Sequence, residues 1–125
     1  MTFGGDKLVK DIKVNDYDAI IFIGGQAMDE YYNNPDILKL VRAANERGKS
    51  LAAIETAPGI FANAGIVKGK TIASYPTQRT AIVAAGANWV NTTLAIDGNL
   101  ITADDYLTAR RFAAAVLDSL KHQEN

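Results

Sequence analysis

The chain of 125 residues contains no cysteine and a single histidine. Without thiols it forms no disulfide, and it offers no sulfur nucleophile and no thiolate ligand for a metal. The one histidine, His122, stands in a polar C-terminal run, and one imidazole without cysteines makes no credible zinc set. We therefore expect no metal and no other cofactor.

Neither sign of charge is in excess, since 13 basic residues face 14 acidic ones for a net charge of −1. No basic stripe stands out, so nucleic acid is not an expected partner. The longest apolar run, residues 19–23, is too short to cross a bilayer. The N-terminus has no basic flank followed by a long apolar region, as a signal peptide would. A cytoplasmic location without a membrane partner is the expectation.

The length and the apolar content of 48% predict one domain over residues 1–125 with one core. Hydrophobic patterning alternates strands with helices, which favours an α/β layered fold with a mostly parallel sheet. Strands are predicted at residues 18–23, 50–54 and 70–74, helices at 34–47, 57–64, 77–86 and 104–120, and a hairpin at 92–102 around Asp97-Gly98. The buried stripe of the last helix is predicted to hold Ala109, Phe112, Ala113, Val116, Leu117 and Leu120.

A charged residue stands at the end of the second predicted strand. Glu55 follows the apolar run 51–54 and precedes a helix that starts near Pro58. A strand that turns sharply into a helix above a parallel sheet is typical of a nucleophile elbow, which exposes one side chain. The sequence alone also allows an ordinary interpretation, in which Glu55 is a solvated polar residue at a strand end.

Four segments in this order resemble the ThiJ/PfpI family, within the class I glutamine amidotransferase-like superfamily. They are residues 16–25 (DYDAIIFIGG), 48–58 (GKSLAAIETAP), 64–70 (AGIVKGK) and 86–102 with GANWV and DGNLIT. The resemblance covers roughly residues 10–120 and implies a flavodoxin-like sandwich. It also implies that the elbow strand is the one ending before Glu55.

The chain departs from the family pattern in three ways. Family members carry Cys at the elbow, where this chain has Glu55. A His that follows the Cys in one branch is Thr56 here, and a His that precedes a Pro in another branch is Tyr75, so the resemblance implies Thr56 and Tyr75 as candidate catalytic residues beside Glu55. The family's first strand-helix-strand unit, which supplies the central strand and an acidic residue bonded to the thiol, has no counterpart in this chain.

The resemblance implies an oxyanion site made by backbone amides near Gly24 and Gly25 and by the amide of Thr56. The two glycines also fit a plain turn that needs a positive φ. Glu55 then has two functional interpretations beside the ordinary one: a disabled site, or a carboxylate acting as general base or nucleophile. Its charge would resemble an oxidised thiol, so we expect Glu55 to be ionised and to accept backbone hydrogen bonds.

Asp104 and Asp105 are candidate second acids, although capping of the following helix explains them more simply. We favour a catalytically degraded family member with a binding or structural role. The alternative is an enzyme of hydrolase, glyoxalase or deglycase type rebuilt around Glu55. A small carbonyl metabolite is the candidate ligand, and open strand edges predict a homodimer or larger assembly.

Overall fold

The computed structural model describes residues 12–25 and 29–123. The strands are β1 (Ala19–Ile23), β2 (Ser50–Ile54), β3 (Thr71–Ile72), β4 (Asn88–Trp89), β5 (Leu94–Asp97) and β6 (Leu100–Ala103). The helices are α1 (Asp29–Tyr32), α2 (Pro35–Glu46), α3 (Gly59–Ala64), α4 (Arg79–Ala84) and α5 (Ala109–Gln123), with short 3-10 turns at Val14–Asp16, Pro76–Gln78 and Tyr106–Thr108. The predicted α/β class is confirmed.

Four of these strands form one sheet in the order β1-β2-β6-β5. Strands β1, β2 and β6 are parallel, and β5 joins β6 as an antiparallel hairpin. The carboxyl ends of β1, β2 and β6 lie at the same edge, because Ile23 pairs with Ile54 and Ile54 with Ala103. Gly24, Glu55 and Asp104 each follow one of these strands, so the register brings them together.

Alternate residues of β2 face opposite sides of the sheet, as the period of a strand requires. Leu51 and Ala53 belong to the larger core, which α2 and α3 cover, whereas Ala52 and Ile54 belong to a smaller core under α5. All five residues of β2 are buried. A strand covered by helices on both faces is mainly apolar, which explains the unbroken apolar run 51–54 before Glu55, and the polar Ser50 stands at its start.

Helix α2 begins as predicted. Asn34 is its N-cap, with a side-chain oxygen that accepts from the amides of Asp36 at 2.9 Å and Ile37 at 3.2 Å. Pro35 occupies the first turn, where it needs no hydrogen-bond donor. The cap fixes the start of a helix whose buried residues, Ile37, Leu40, Val41 and Ala44, pack on the larger core.

The hairpin turn lies one residue later than predicted. Asp97 pairs with Leu100, so the two residues between the strands are Gly98 and Asn99 rather than Asp97 and Gly98. The Asp97 carboxylate instead accepts from the Thr71 amide at 2.8 Å and lies 3.8 Å from Lys70 Nζ. It therefore links the hairpin to β3, which a local turn pattern cannot reveal.

The last helix also differs from its prediction. It begins at Ala109 rather than near residue 104, because a 3-10 turn precedes it. Phe112 and Val116 are buried, but Leu117 is 60% exposed and Ala109 and Ala113 face solvent. A single sheet contacts α5 from one side, so a narrow face through Phe112 and Val116 reaches the core, and the predicted Leu120 is partly buried against it.

One shorter predicted strand needs correction, and part of another predicted segment lies outside the described residues. The strand predicted at residues 70–74 is reduced to β3, which pairs in parallel with β4 in a separate two-stranded sheet. Val14 lies in a 3-10 turn and packs with Ile12 on the larger core. The sequence also allows a short edge strand or an irregular lead-in over Leu8, Val9, Ile12 and Val14, of which Leu8 and Val9 fall outside the described residues.

Candidate site at the Glu55 turn

Glu55 lies at the sharp turn between β2 and α3. Its φ is +65°, which makes it the one non-glycine residue with a positive φ in the described part of the chain. A non-glycine residue in this region costs roughly 1–3 kcal/mol and persists where its surroundings enforce it. Here the Glu55 amide donates to the Ala103 carbonyl at 2.9 Å, and its carbonyl accepts from the Tyr75 amide at 2.8 Å. Two neighbouring segments thus hold the turn.

The Glu55 side chain is half-buried and folds back onto its own turn. Its Oε1 accepts from the Thr56 amide at 3.2 Å, which agrees with the expectation that Glu55 accepts a backbone amide. Thr56 N–H is one of the donors that the family resemblance implied for an oxyanion site. A carboxylate oxygen already receives that hydrogen bond, so this donor is engaged within the chain.

Gly24 is needed because the backbone approaches closely, and a positive φ is not its reason. A Cβ at this position would lie 2.6 Å from Thr56 Oγ1 and 2.7 Å from Thr56 N. The Gly24 amide donates to the Ile54 carbonyl at 3.2 Å and ties the end of β1 to the Glu55 turn. The positive-φ interpretation of the two glycines is therefore wrong for Gly24, and the φ of Gly25, +159°, is close to extended backbone.

Thr56 completes the packing against Gly24. Its Oγ1 is buried and has no hydrogen-bond partner among the residues that the structure describes. Its carbonyl accepts from the Tyr32 hydroxyl at 2.7 Å, which anchors helix α1 to the turn. Thr56 therefore contributes its backbone amide and carbonyl to the site, and its hydroxyl packs beside Gly24.

Tyr106 is the site residue that sequence reasoning missed. Its hydroxyl donates to the Gly24 carbonyl, and the phenol lies near enough to the Glu55 carboxylate for that charge to act on it. It would lie 4.0 Å from a Cβ at Gly25. The available signal was position: Tyr106 stands just beyond the carboxyl end of β6, at the sheet edge where Glu55 and Gly24 also lie.

Asp104 and Asp105 serve the turn that precedes α5. Asp105 Oδ1 accepts from the Leu107 amide at 3.2 Å, and Asp104 Oδ1 accepts from the Thr108 hydroxyl at 3.1 Å. These bonds agree with capping and give no support to a second catalytic acid. Asp105 still adds negative charge near Tyr106.

Tyr75 reaches Glu55 through its backbone. Its amide holds the Glu55 carbonyl, while its side chain is 41% exposed. The contacts of the described residues join no Tyr75 hydroxyl to the Glu55 carboxylate. A catalytic role for Tyr75 therefore remains a prediction from the resemblance.

The described residues contain no group of three or more His, Cys, Asp or Glu side chains arranged to hold a metal ion. In residues 12–25 and 29–123, no helix has both the length and the apolar content needed to cross a membrane.

The pKa of the Tyr106 phenol is raised above its ordinary value of 10.0, first by burial and then by the negative charge and hydrogen bond of Glu55, with a smaller contribution from Asp105. Because the folded protein favours the protonated phenol, this contribution to stability is present below pH 10.0 and is lost as the pH rises through the raised pKa. Glu55→Gln is expected to lower the Tyr106 pKa while leaving it above the ordinary value, since burial remains.

Ultraviolet titration of phenolate formation, taken as the difference from the Tyr106→Phe variant, measures this pKa. Asp118→Asn, an exposed carboxylate on α5, is the matched control and should leave it unchanged. An identical Tyr106 pKa in Glu55→Gln and the parent protein would contradict the described contact.

Comparison with known proteins gives one consistent relationship. A sequence model of the DJ-1/PfpI family matches residues 1–119. An uncharacterized protein of Methanocaldococcus jannaschii is 34% identical over 93% of this chain and 58% of its own length. A deglycase of Pyrococcus horikoshii is 32% identical over 80% of the chain and 64% of its own length.

Solved structures agree with this relationship. The crystal structure of Drosophila melanogaster DJ-1beta superposes with a TM-score of 0.78 at 30% identity, and covers 86% of this chain and 59% of that one. The chain thus spans about three fifths of the length of these three relatives. Because the family model matches nearly all residues of the chain, this chain belongs to the DJ-1/PfpI family.

Proposed function

We propose that this chain is a family member without thiol chemistry, in which Glu55 occupies the position of the elbow Cys and the site binds a ligand or partner without turning it over. The observation that carries the proposal is the Glu55 turn itself. It combines a positive φ, a place at the carboxyl edge of the sheet and a carboxylate that receives the Thr56 amide.

The chemical argument starts from the nucleophile. A carboxylate is a much weaker nucleophile than a thiolate, and the residue beside it is Thr56, which moves no protons at neutral pH. The Thr56 amide would otherwise be free to stabilise an oxyanion, and the Glu55 carboxylate now receives its hydrogen bond. Both the attacking group and one stabilising donor of the family's chemistry are thereby lost.

An enzyme built around Glu55 is the second candidate, and one observation favours it. The Tyr106 phenol lies near the Glu55 carboxylate, and burial together with that charge raises its pKa, so the phenol is protonated at neutral pH. A carboxylate next to a phenol is a base beside an acid, which is the minimum for proton transfer at a small carbonyl compound. Relatives named deglycases make such a compound the natural substrate to test.

The deciding experiment measures turnover of methylglyoxal, a peptide and an ester by the parent protein and by Glu55→Gln and Glu55→Ala. The proposal expects no turnover above background in any of the three proteins. Activity in the parent that is lost in both variants would establish the enzyme. Activity that persists in both variants would indicate a contaminant or another site, and Glu46→Gln, an exposed carboxylate on α2, controls for charge.

We also propose that the chain forms a homodimer or larger assembly. Among the described residues β5 is an edge strand of its sheet and pairs with β6 alone, and its Ile96 is 60% exposed. An open edge on a strand of apolar residues invites pairing with another chain. Light scattering coupled to size exclusion should give a mass of at least twice 13.4 kDa, and a monomer mass would contradict this.

A cytoplasmic location stays an expectation from the sequence.

A further inference from the structure

The Glu55 site has more hydrogen-bond acceptors than donors. The Tyr106 hydroxyl donates to the Gly24 carbonyl, and it lies near enough to the Glu55 carboxylate for that charge to act on the phenol. A phenol has one proton, so it satisfies one of these acceptors at a time. The Thr56 amide supplies a single further donor, to Glu55 Oε1. Lone pairs therefore remain on the carboxylate and the carbonyl.

The negative charge of the site has no basic partner in the described part of the chain. The ion pair found there joins Lys70 to Asp97, and Arg79 lies over the Trp89 ring, 5.4 Å from its centroid. Glu55 is half-buried, so water screens it less than it screens a surface carboxylate. A cation brought by a ligand would meet a charge that the described residues do not neutralise.

The third feature is an aromatic surface beside the charge. The Tyr106 side chain is 45% exposed although its hydroxyl is engaged at Gly24, so part of the ring faces solvent at the site. The face of an aromatic ring attracts a cation, and the attraction strengthens when the cation is partly desolvated. Carboxylate, carbonyl and ring together suit a positively charged ligand with several N–H donors.

We infer that the Glu55–Tyr106 site binds a small organic ammonium ion, with the Glu55 carboxylate and the Gly24 carbonyl accepting its N–H groups and the Tyr106 ring lying beside it. The inference rests on the proposed non-catalytic function, because it assigns the same site a ligand class. An ammonium group has three donors and no acceptor, which matches the surplus of lone pairs. A small anion is disfavoured there, since the carboxylate would repel it.

Three compounds of one size and different charge test this directly: propylammonium, 1-propanol and propionate. Each is titrated into the full chain while nuclear magnetic resonance follows the backbone amides of Gly24, Thr56 and Tyr106. Propylammonium is expected to shift these signals until they saturate at millimolar concentrations. Propanol and propionate are expected to leave them unshifted. The apparent affinity for the ammonium should fall as ionic strength rises.

Two variants separate charge from structure. Glu55→Gln keeps the size of the side chain and is expected to weaken propylammonium binding about tenfold or more, as for loss of a charge-assisted hydrogen bond. Tyr106→Phe keeps the ring, removes the competing donor, and is expected to bind the ammonium as well as the parent protein or better. Glu46→Gln should bind it as the parent does. A purely structural role would weaken binding in Glu55→Gln and Tyr106→Phe alike.

The outcomes distinguish this inference from the proposed function. No saturable shift with propylammonium, or equal shifts with all three compounds, overturns the inference and leaves the absence of turnover standing. Turnover by the parent protein that is lost in Glu55→Gln overturns the proposed function, whether or not propylammonium binds. If Glu55→Gln binds propylammonium as tightly as the parent protein, the cation binds elsewhere and the inference is likewise overturned.

Discussion

Phe61→Ala is expected to lower the free energy of unfolding by about 3–5 kcal/mol, the range for truncating a large buried aromatic side chain. Phe61 lies on α3, is 0% exposed, and packs edge-to-face on Phe22 of β1 with ring centroids 6.0 Å apart. Its removal leaves a cavity between the helix that follows Glu55 and the strand that leads to Gly24. Urea denaturation followed by circular dichroism measures the loss.

Leu107→Ala is the matched control for Phe61→Ala. Leu107 is 95% exposed, so its truncation removes little buried surface and should change the unfolding free energy by less than about 0.5 kcal/mol. A Phe61→Ala protein as stable as the parent would mean that α3 does not pack on β1 as described.

Gly24→Ala is expected to destabilise the protein by about 1–3 kcal/mol, the usual cost of forcing an extra methyl group into close-packed surroundings. The new Cβ would lie 2.7 Å from the Thr56 amide nitrogen and 3.0 Å from the Ile54 carbonyl oxygen. Both are backbone atoms that no rotamer change can move, so β1 and the Glu55 turn must separate. The Tyr106 pKa should then fall, because its partners Gly24 and Glu55 shift apart.

The double variant Gly24→Ala with Thr56→Ala separates the two contacts made by the new methyl group. Removing Thr56 Oγ1 relieves the 2.6 Å approach and leaves the approach to the backbone. Stability should therefore recover only in part, by the same denaturation measurement. Full recovery would show that the hydroxyl alone, and not the backbone, requires glycine at position 24.

The sequence by itself determined the elements whose signals are local. The apolar run 19–23, the cap at Asn34 and the apolar run before Glu55 predicted β1, α2 and β2, because burial on both faces and capping leave a pattern within a few residues. The absence of cysteine is likewise visible in the sequence alone, and these 125 residues therefore supply no sulfur nucleophile. The place of Glu55 at a strand-to-helix turn followed from the same local patterns.

Only the tertiary structure decided which residues meet Glu55. Tyr106 stands 51 positions later in the chain, and it reaches Glu55 because parallel pairing of β2 with β6 brings both strand ends to one edge. The requirement for glycine at position 24 likewise comes from a neighbouring turn and leaves no mark in its own segment. Contacts between distant segments depend on register, which a local pattern does not encode, and at this site they set the balance of charge and hydrogen-bond donors.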